Sequence, residues 1–251
     1  MSYDRALTVF SPDGHLFQVE YAMEAVRKGY AIAGVVAKDC IVLAYEKKAT
    51  AQLQDPRTVK KLLAIDENIS FLFAGLNADA HKLIDMARVE AQSFRLSYDE
   101  IPSISYIAKY IGRQQQIYTQ RGGRRPFGVS AFICGVDSTG PRLFQTDPAG
   151  ICTEWKANAS GKSDKAIRTF LENHYTEGLE EDKAIELIIE AMLEAVSVVE
   201  KTVDIAIIKQ NTEPIILPRE RIETLVKEIK ERKEEEEEQK QKEKEEEEGM
   251  E

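Results

Sequence analysis

The sequence predicts an α+β fold, and three observations carry that prediction. Apolar, β-branched runs fall into two groups, stretches of helical periodicity come in pairs after each group, and Gly, Pro, Asn and Asp clusters mark the boundaries between them. Strands, two helices, strands, two helices and a last strand leave antiparallel sheets whose outer faces need covering, so the simplest layering is helices, sheet, sheet, helices. Periodicity by itself reaches an α+β fold with two strand groups.

Ser11-Pro12-Asp13-Gly14 is written in turn chemistry: proline presets φ, aspartate can bond its own backbone, and glycine supplies a positive φ. Phe17, Val19, Tyr21, Ala22, Ala25 and Val26 then fit one broad face of a helix reaching Lys28. Tyr30 to Ala37 and Cys40 to Tyr45 read as two strands joined at Lys38-Asp39, and Leu62 to Ile65 and Ile69 to Ala74 repeat the pattern around Asp66-Glu67-Asn68. Asn77 is expected to cap a helix running through Phe94, and a second helix is expected from about Ser103 to Tyr118. Phe127 to Val136, Leu143 to Thr146 and Ile151 to Trp155 form the second strand group. Helices over Lys162 to Asn173 and Glu181 to Glu200 follow, then a strand over Val203 to Ile208. Ile222, Leu225, Val226 and Ile229 give a terminal helix an apolar stripe.

A chain of 251 residues suits one domain with a large core rather than two small ones. We divide it into a domain over 1–230, with an arm and turn at 1–15 and an N-terminal helix at 16–28, and a charged low-complexity tail over 231–251. Twelve acidic and five basic residues give the tail a net −7 out of the chain's −10, so the body is only mildly acidic. A tail of that composition cannot bury enough apolar surface to offset ordering entropy, and its default is disorder or a fraying solvated helix. The acidic balance argues against a general nucleic-acid surface. No apolar run approaches the roughly 18 residues needed to span a bilayer, and the start is polar, so the expected location is cytoplasmic and nuclear.

Few motifs carry chemistry. Cys40, Cys134 and Cys152 lack paired spacing and read as reduced core thiols. His15, His81 and His174 are scattered, with no metal-ligand spacing, and there is no nucleophile elbow. Gly161-Lys162-Ser163 lacks the earlier glycine of a phosphate loop and reads as the start of a helix. Arg121-Gly122-Gly123-Arg124-Arg125 can be read as an RNA patch with Phe127 as its stacking platform, or as a charged loop between helix and strand. The acidic chain favours the loop.

The segment from Tyr3 to Ala22 resembles the signature that opens the alpha-type subunits of the 20S proteasome. Tyr3-Asp4-Arg5, the turn at Pro12 and Gln18-Val19-Glu20-Tyr21-Ala22 carry the likeness. It extends through Ala74-Gly75-Leu76, Ala78-Asp79-Ala80, Tyr118-Thr119-Gln120, Arg125-Pro126-Phe127-Gly128, Arg142-Leu143-Phe144 and Asp147-Pro148, covering roughly residues 1–230. Gln54 to Lys61 and Trp155-Lys156-Ala157-Asn158-Ala159 look like eukaryotic members.

The resemblance implies the four-layer α/β/β/α sandwich of N-terminal nucleophile hydrolases, with an added N-terminal helix. Beta-type relatives cleave peptides with a threonine exposed as a new amino terminus. The matching position after Gly29 is Tyr30, which cannot take that role, and residues 16–28 read as an integral helix rather than a propeptide. Glu46 and Lys61 fall near the relatives' catalytic aspartate and lysine but form no catalytic set without the nucleophile. The resemblance therefore implies no catalytic residues, no metal and no cofactor.

What it implies instead is a member of an outer heptameric ring, with other alpha subunits, beta subunits and regulatory activators as partners and unfolded polypeptide in transit. The gate cluster carries over as Tyr3, Asp4, Pro12 and Tyr21. A pocket for activator C-termini carries over as Lys61, Gly29 and Leu76. Two phenols, a carboxylate and a stiff turn suit a marginally stable arm, and a point-like ammonium suits a carboxylate arriving on a flexible tail.

Overall fold

The computed structural model describes residues 9–47, 53, 55, 58–196 and 198–248. In order, the elements are α1 (Phe17–Arg27), β1 (Ile32–Val36), β2 (Cys40–Glu46), β3 (Leu62–Asp66), β4 (Ile69–Gly75), α2 (Asn77–Tyr98), α3 (Ile104–Gln120), β5 (Val129–Asp137), β6 (Gly140–Thr146), β7 (Cys152–Trp155), β8 (Ala157–Ser160), α4 (Asp164–His174), α5 (Glu181–Leu193), α6 (Val199–Thr202), β9 (Val203–Lys209), β10 (Ile215–Ile216) and α7 (Arg219–Glu248).

Two five-stranded sheets form, ordered β10-β9-β2-β1-β8 and β3-β4-β5-β6-β7, and every pairing is antiparallel. Strand alternation shows how they stack. Along β5, Phe132 and Cys134 join Ile32, Leu43, Leu72 and Leu143 in a cluster between the sheets, while Ala131 and Ile133 face Leu83, Ile84, Ile107 and Ile111 of α2 and α3. Along β2, Ile41 and Leu43 point to the inter-sheet core, and Val42 and Ala44 pack with Ile188 of α5 and Val226 of α7. Each sheet is thus apolar on both faces, which requires helices outside both and yields the four-layer sandwich.

The structure departs from the sequence expectation in four places. Ala157–Ser160 is a strand, β8, paired with β1. Its small and polar residues carry no strand signal; buried Asn158 is satisfied by donating to Gln145 Oε1 (2.5 Å) and accepting from Arg168 Nε (2.9 Å). The short β10 pairs with β9. The helix expected over Glu181 to Glu200 stops at Leu193, where Ala195 and Val196 both donate to Met192 O before α6 buries Val199. Asn77 is the first residue of α2 rather than its cap; Leu76 holds the cap position without a side-chain bond. At α3 the expected cap forms, with Ser103 Oγ accepting from Tyr106 N–H (3.2 Å). Helix α7 crosses position 231 without a break.

Candidate functional site

The described part of the opening segment is built on Ser11. Its N–H donates to His15 O (2.9 Å), its Oγ accepts from His15 N–H (3.0 Å), and its carbonyl accepts from Gly14 N–H (2.9 Å). Gly14 sits at φ +82°, where a side chain would be strained. Ser11 is buried, whereas Pro12 is exposed. The His15 ring stacks on Phe17 (5.6 Å between centroids), Phe17 stacks on Tyr21 (6.3 Å), and His15 Nδ1 lies 2.5 Å from Glu20 Oε1. That hydrogen bond and the Glu20 charge raise the His15 pKa. Tyr21 is half exposed at the far end of the stack. Of the four residues the resemblance assigns to a gate, Tyr3 and Asp4 lie outside the described residues, and Pro12 and Tyr21 stand on one turn–helix unit.

Helix α1 docks through Val19, Ala22 and Val26, all buried, and it ends against bare backbone. A Cβ on Gly29 would lie 2.5 Å from Gly75 N, and one on Gly75, at φ +113°, would lie 2.1 Å from Gly128 O. Lys162 N–H donates to Gly29 O (2.9 Å) and Leu76 N–H to Gly128 O (2.9 Å). Gly29, the end of β4 and the start of β5 are therefore fixed together, and Leu76, half exposed, lies against Gly128.

Lys61 stands immediately before β3. It is only 3% exposed, its Nζ lying 4.7 Å from the Phe73 ring centroid and 5.3 Å from that of Tyr30. No carboxylate among the described residues lies within ion-pair distance of it. Burial pushes its pKa down from 10.5 to about 8, partly countered by the charge of Glu46. Cation–π contact with two rings is what the fold offers this ammonium in place of water. Gly29 meets Gly75 and Leu76 meets Gly128, while Lys61 is tied to this region through the rings of Tyr30, next to Gly29, and Phe73, two residues before Gly75. Lys60, by contrast, is exposed.

The arginine cluster lies on the exposed segment between α3 and β5, with two of its three arginines engaged by neighbouring side chains. Arg125 makes a two-pronged ion pair with Asp79 (2.6 and 2.8 Å), and Asp79 also accepts from buried Gly128 N–H (3.0 Å). These donors depress the Asp79 pKa against a burial effect that pushes it up. Arg124 lies over the Tyr118 ring (5.0 Å), and Phe127, 5% exposed, packs on Tyr118 (4.4 Å). Phe127 cannot be a stacking platform for a base, which removes half of the RNA reading. Gly161-Lys162-Ser163 leads into α4, as expected.

Among the described residues, no three His, Cys, Asp or Glu side chains cluster as a metal site, and no helix is long and apolar enough to cross a membrane. Cys40 and Cys134 are buried and Cys152 half-buried, all as free thiols. Sequence reasoning placed Ser11 in the turn but not its burial or its side-chain bond to His15, and it missed the His15–Glu20 contact, Phe73 and the Asp79–Arg125 pair. The last was hinted at only by two short resembling stretches, Ala78-Asp79-Ala80 and Arg125-Pro126-Phe127-Gly128.

Comparison with known proteins adds an independent line. The family description "Proteasome subunit" matches residues 26–208, and the "N-terminal signature" of A-type proteasome subunits matches residues 3–25. The chain is 51% identical over 233 residues to "Proteasome subunit alpha type-7" of Dictyostelium discoideum, covering 92% of this chain and 93% of the relative. It is 50% identical over 235 residues to "Proteasome subunit alpha type-8" of Mus musculus (92% and 94%) and 45% identical over 234 residues to "Proteasome subunit alpha type-7" of Caenorhabditis elegans (91% and 92%). With the sandwich, the alpha-type opening segment and this coverage together, the chain belongs to the proteasome subunit family and carries its alpha-type signature.

Proposed function

We propose that the chain is a non-catalytic subunit of the outer heptameric ring of the 20S proteasome core particle, acting in ubiquitin-dependent protein degradation in cytoplasm and nucleus. Its partners are other alpha subunits, beta subunits and regulatory activators. Its arm, through Tyr3, Asp4, Pro12 and Tyr21, admits or excludes unfolded polypeptide. Lys61, Gly29 and Leu76 receive the C-terminal carboxylate of an activator.

One observation carries the non-catalytic reading. The Gly29–Tyr30 peptide is interior to a packed segment: α1 precedes it, Gly29 N–H donates to Val26 O (2.8 Å), and Lys162 N–H holds the Gly29 carbonyl. A nucleophile of the N-terminal kind needs a free amine at this point, and here there is an amide followed by a phenol. The docking reading is supported by a cation that burial has stripped of water and that has no carboxylate partner among the described residues, which favours capture of an incoming carboxylate.

The test uses the assembled particle. Deleting residues 1–10 is expected to raise hydrolysis of a fluorogenic peptide while native mass spectrometry shows an intact ring, and Lys61→Ala is expected to weaken activator docking without changing basal assembly. Unchanged hydrolysis rejects the gate role, and equal activator affinity rejects the pocket.

A further inference from the structure

Helix α1 begins without a side-chain cap. Leu16 holds the cap position and bonds none of the first-turn N–H groups through its side chain, so the usual device that fixes a chain's entry into a helix is missing. What joins the opening turn to α1 is His15. Its main chain closes the turn, the N–H donating to Ser11 Oγ (3.0 Å) and the carbonyl accepting from Ser11 N–H (2.9 Å). Its side chain crosses to the helix, with Nδ1 2.5 Å from Glu20 Oε1 and the ring only 8° from parallel with that of Phe17. Among the described residues the charges that act on this ring are Glu20 from α1 and Asp13 from the turn, and both favour the imidazolium. Strands β4 and β5, against which α1 packs, contribute none.

We propose that His15 is a proton-dependent clasp between the opening turn and α1: protonated, it holds the turn onto the first turn of the helix through Glu20, and neutral, it lets the turn open. Both nitrogens of an imidazolium are donors, so Nδ1 meets Glu20 with charge assistance while the cationic ring lies against Phe17. A neutral imidazole has one N–H, placed on either nitrogen, and no charge to offer. Pairing raises the folded-state pKa above the ordinary 6.5, so the clasp contributes in full below 6.5 and is lost as pH rises through the raised value. The side chains of His15 and Glu20 are 53% and 46% exposed, which keeps the clasp weak and suits a turn that opens and closes. It belongs to the turn–helix junction itself and stands whether or not the segment ahead of it guards a channel.

The test is solution NMR of the full-length chain between about pH 5.5 and 8.5, a window above the ordinary carboxylate range. The chain has three histidines, so His81 and His174 serve as internal references. His15 is expected to titrate above 6.5, and Glu20→Gln to lower its midpoint. The structural readout is amide-exchange protection at Gly14 and His15, whose N–H groups both bond to Ser11, corrected for the intrinsic pH dependence of exchange. Protection should fall about two- to fivefold across the window in the wild type. It should stay flat in Glu20→Gln, and in His15→Phe, which keeps a ring on Phe17 and removes the proton. Neither change replaces a buried side chain, so both variants should fold. A wild-type His15 midpoint at or below 6.5, protection that does not change with pH, or the wild-type pH dependence in either variant overturns the proposal.

Discussion

Lys61 is a buried cation, and its cost can be measured. An unfolded lysine titrates near 10.5 and the folded one near about 8, because burial disfavours the charged form. The difference corresponds to about 3 kcal/mol, a penalty on the native state present in full below the folded pKa. It fades as pH rises through 8 and is gone above the unfolded value near 10.5, where both states are neutral. Lys61→Met removes the penalty and places a thioether between the Tyr30 and Phe73 rings, a contact thioethers favour. The attraction of Glu46 is already contained in the folded value, so the net gain near pH 6 is about 3 kcal/mol. For a chain of this size that is a rise of about 6–12 °C in Tm. Urea unfolding of both proteins at a series of pH values between about 6 and 10.5 reads the difference directly, since other groups titrate alike in the two. The advantage of the variant should be largest at the acid end and shrink by about 3 kcal/mol at the alkaline end. A constant difference across the series, or a less stable variant at about pH 6, refutes the reasoning.

Three further outcomes follow from the contacts. Gly29→Ala puts a methyl against Gly75 backbone that has no room to yield, and chemical denaturation should show a loss of about 3 kcal/mol. Asp79→Ala leaves Gly128 N–H without its acceptor and frees Arg125, costing about 2 kcal/mol by the same assay; in wild type the contribution of this carboxylate is present above the ordinary aspartate pKa of 3.8 and is lost as pH falls through its depressed folded value. Burial pushes the Cys134 thiol pKa up and that of Cys40 to about 11, so a thiol reagent at about pH 8 should modify Cys134 and Cys40 only after unfolding; rapid reaction of either in the native chain contradicts their burial.

What was legible in the sequence is what depends on local pattern. The alternation of Phe132 and Cys134 with Ala131 and Ile133 is written in β5, and the turn at Ser11 to Gly14 in its own residue types. Lys61, Gly29 and Leu76 were named only through resemblance, because nothing in local pattern relates residues this far apart in the chain. The burial of Lys61 under Phe73 runs against the usual exposure of lysine and left no trace in the pattern. Arg125 and Asp79 stand 46 residues apart, so the pattern of Arg121 to Arg125 gave no sign that one of its guanidinium groups is held by a carboxylate of α2. Strand β8 was invisible because Ala157–Ser160 has no β-branched or aromatic residue; pairing with β1 imposes its conformation.

The meeting of Gly29 with Gly75 has a mechanical side. Side chains absorb small displacements by changing rotamer, and here there are none to do so. The end of α1 and the end of β4 therefore meet backbone to backbone, and the stiffness of that joint is a direct product of lacking two methyl groups.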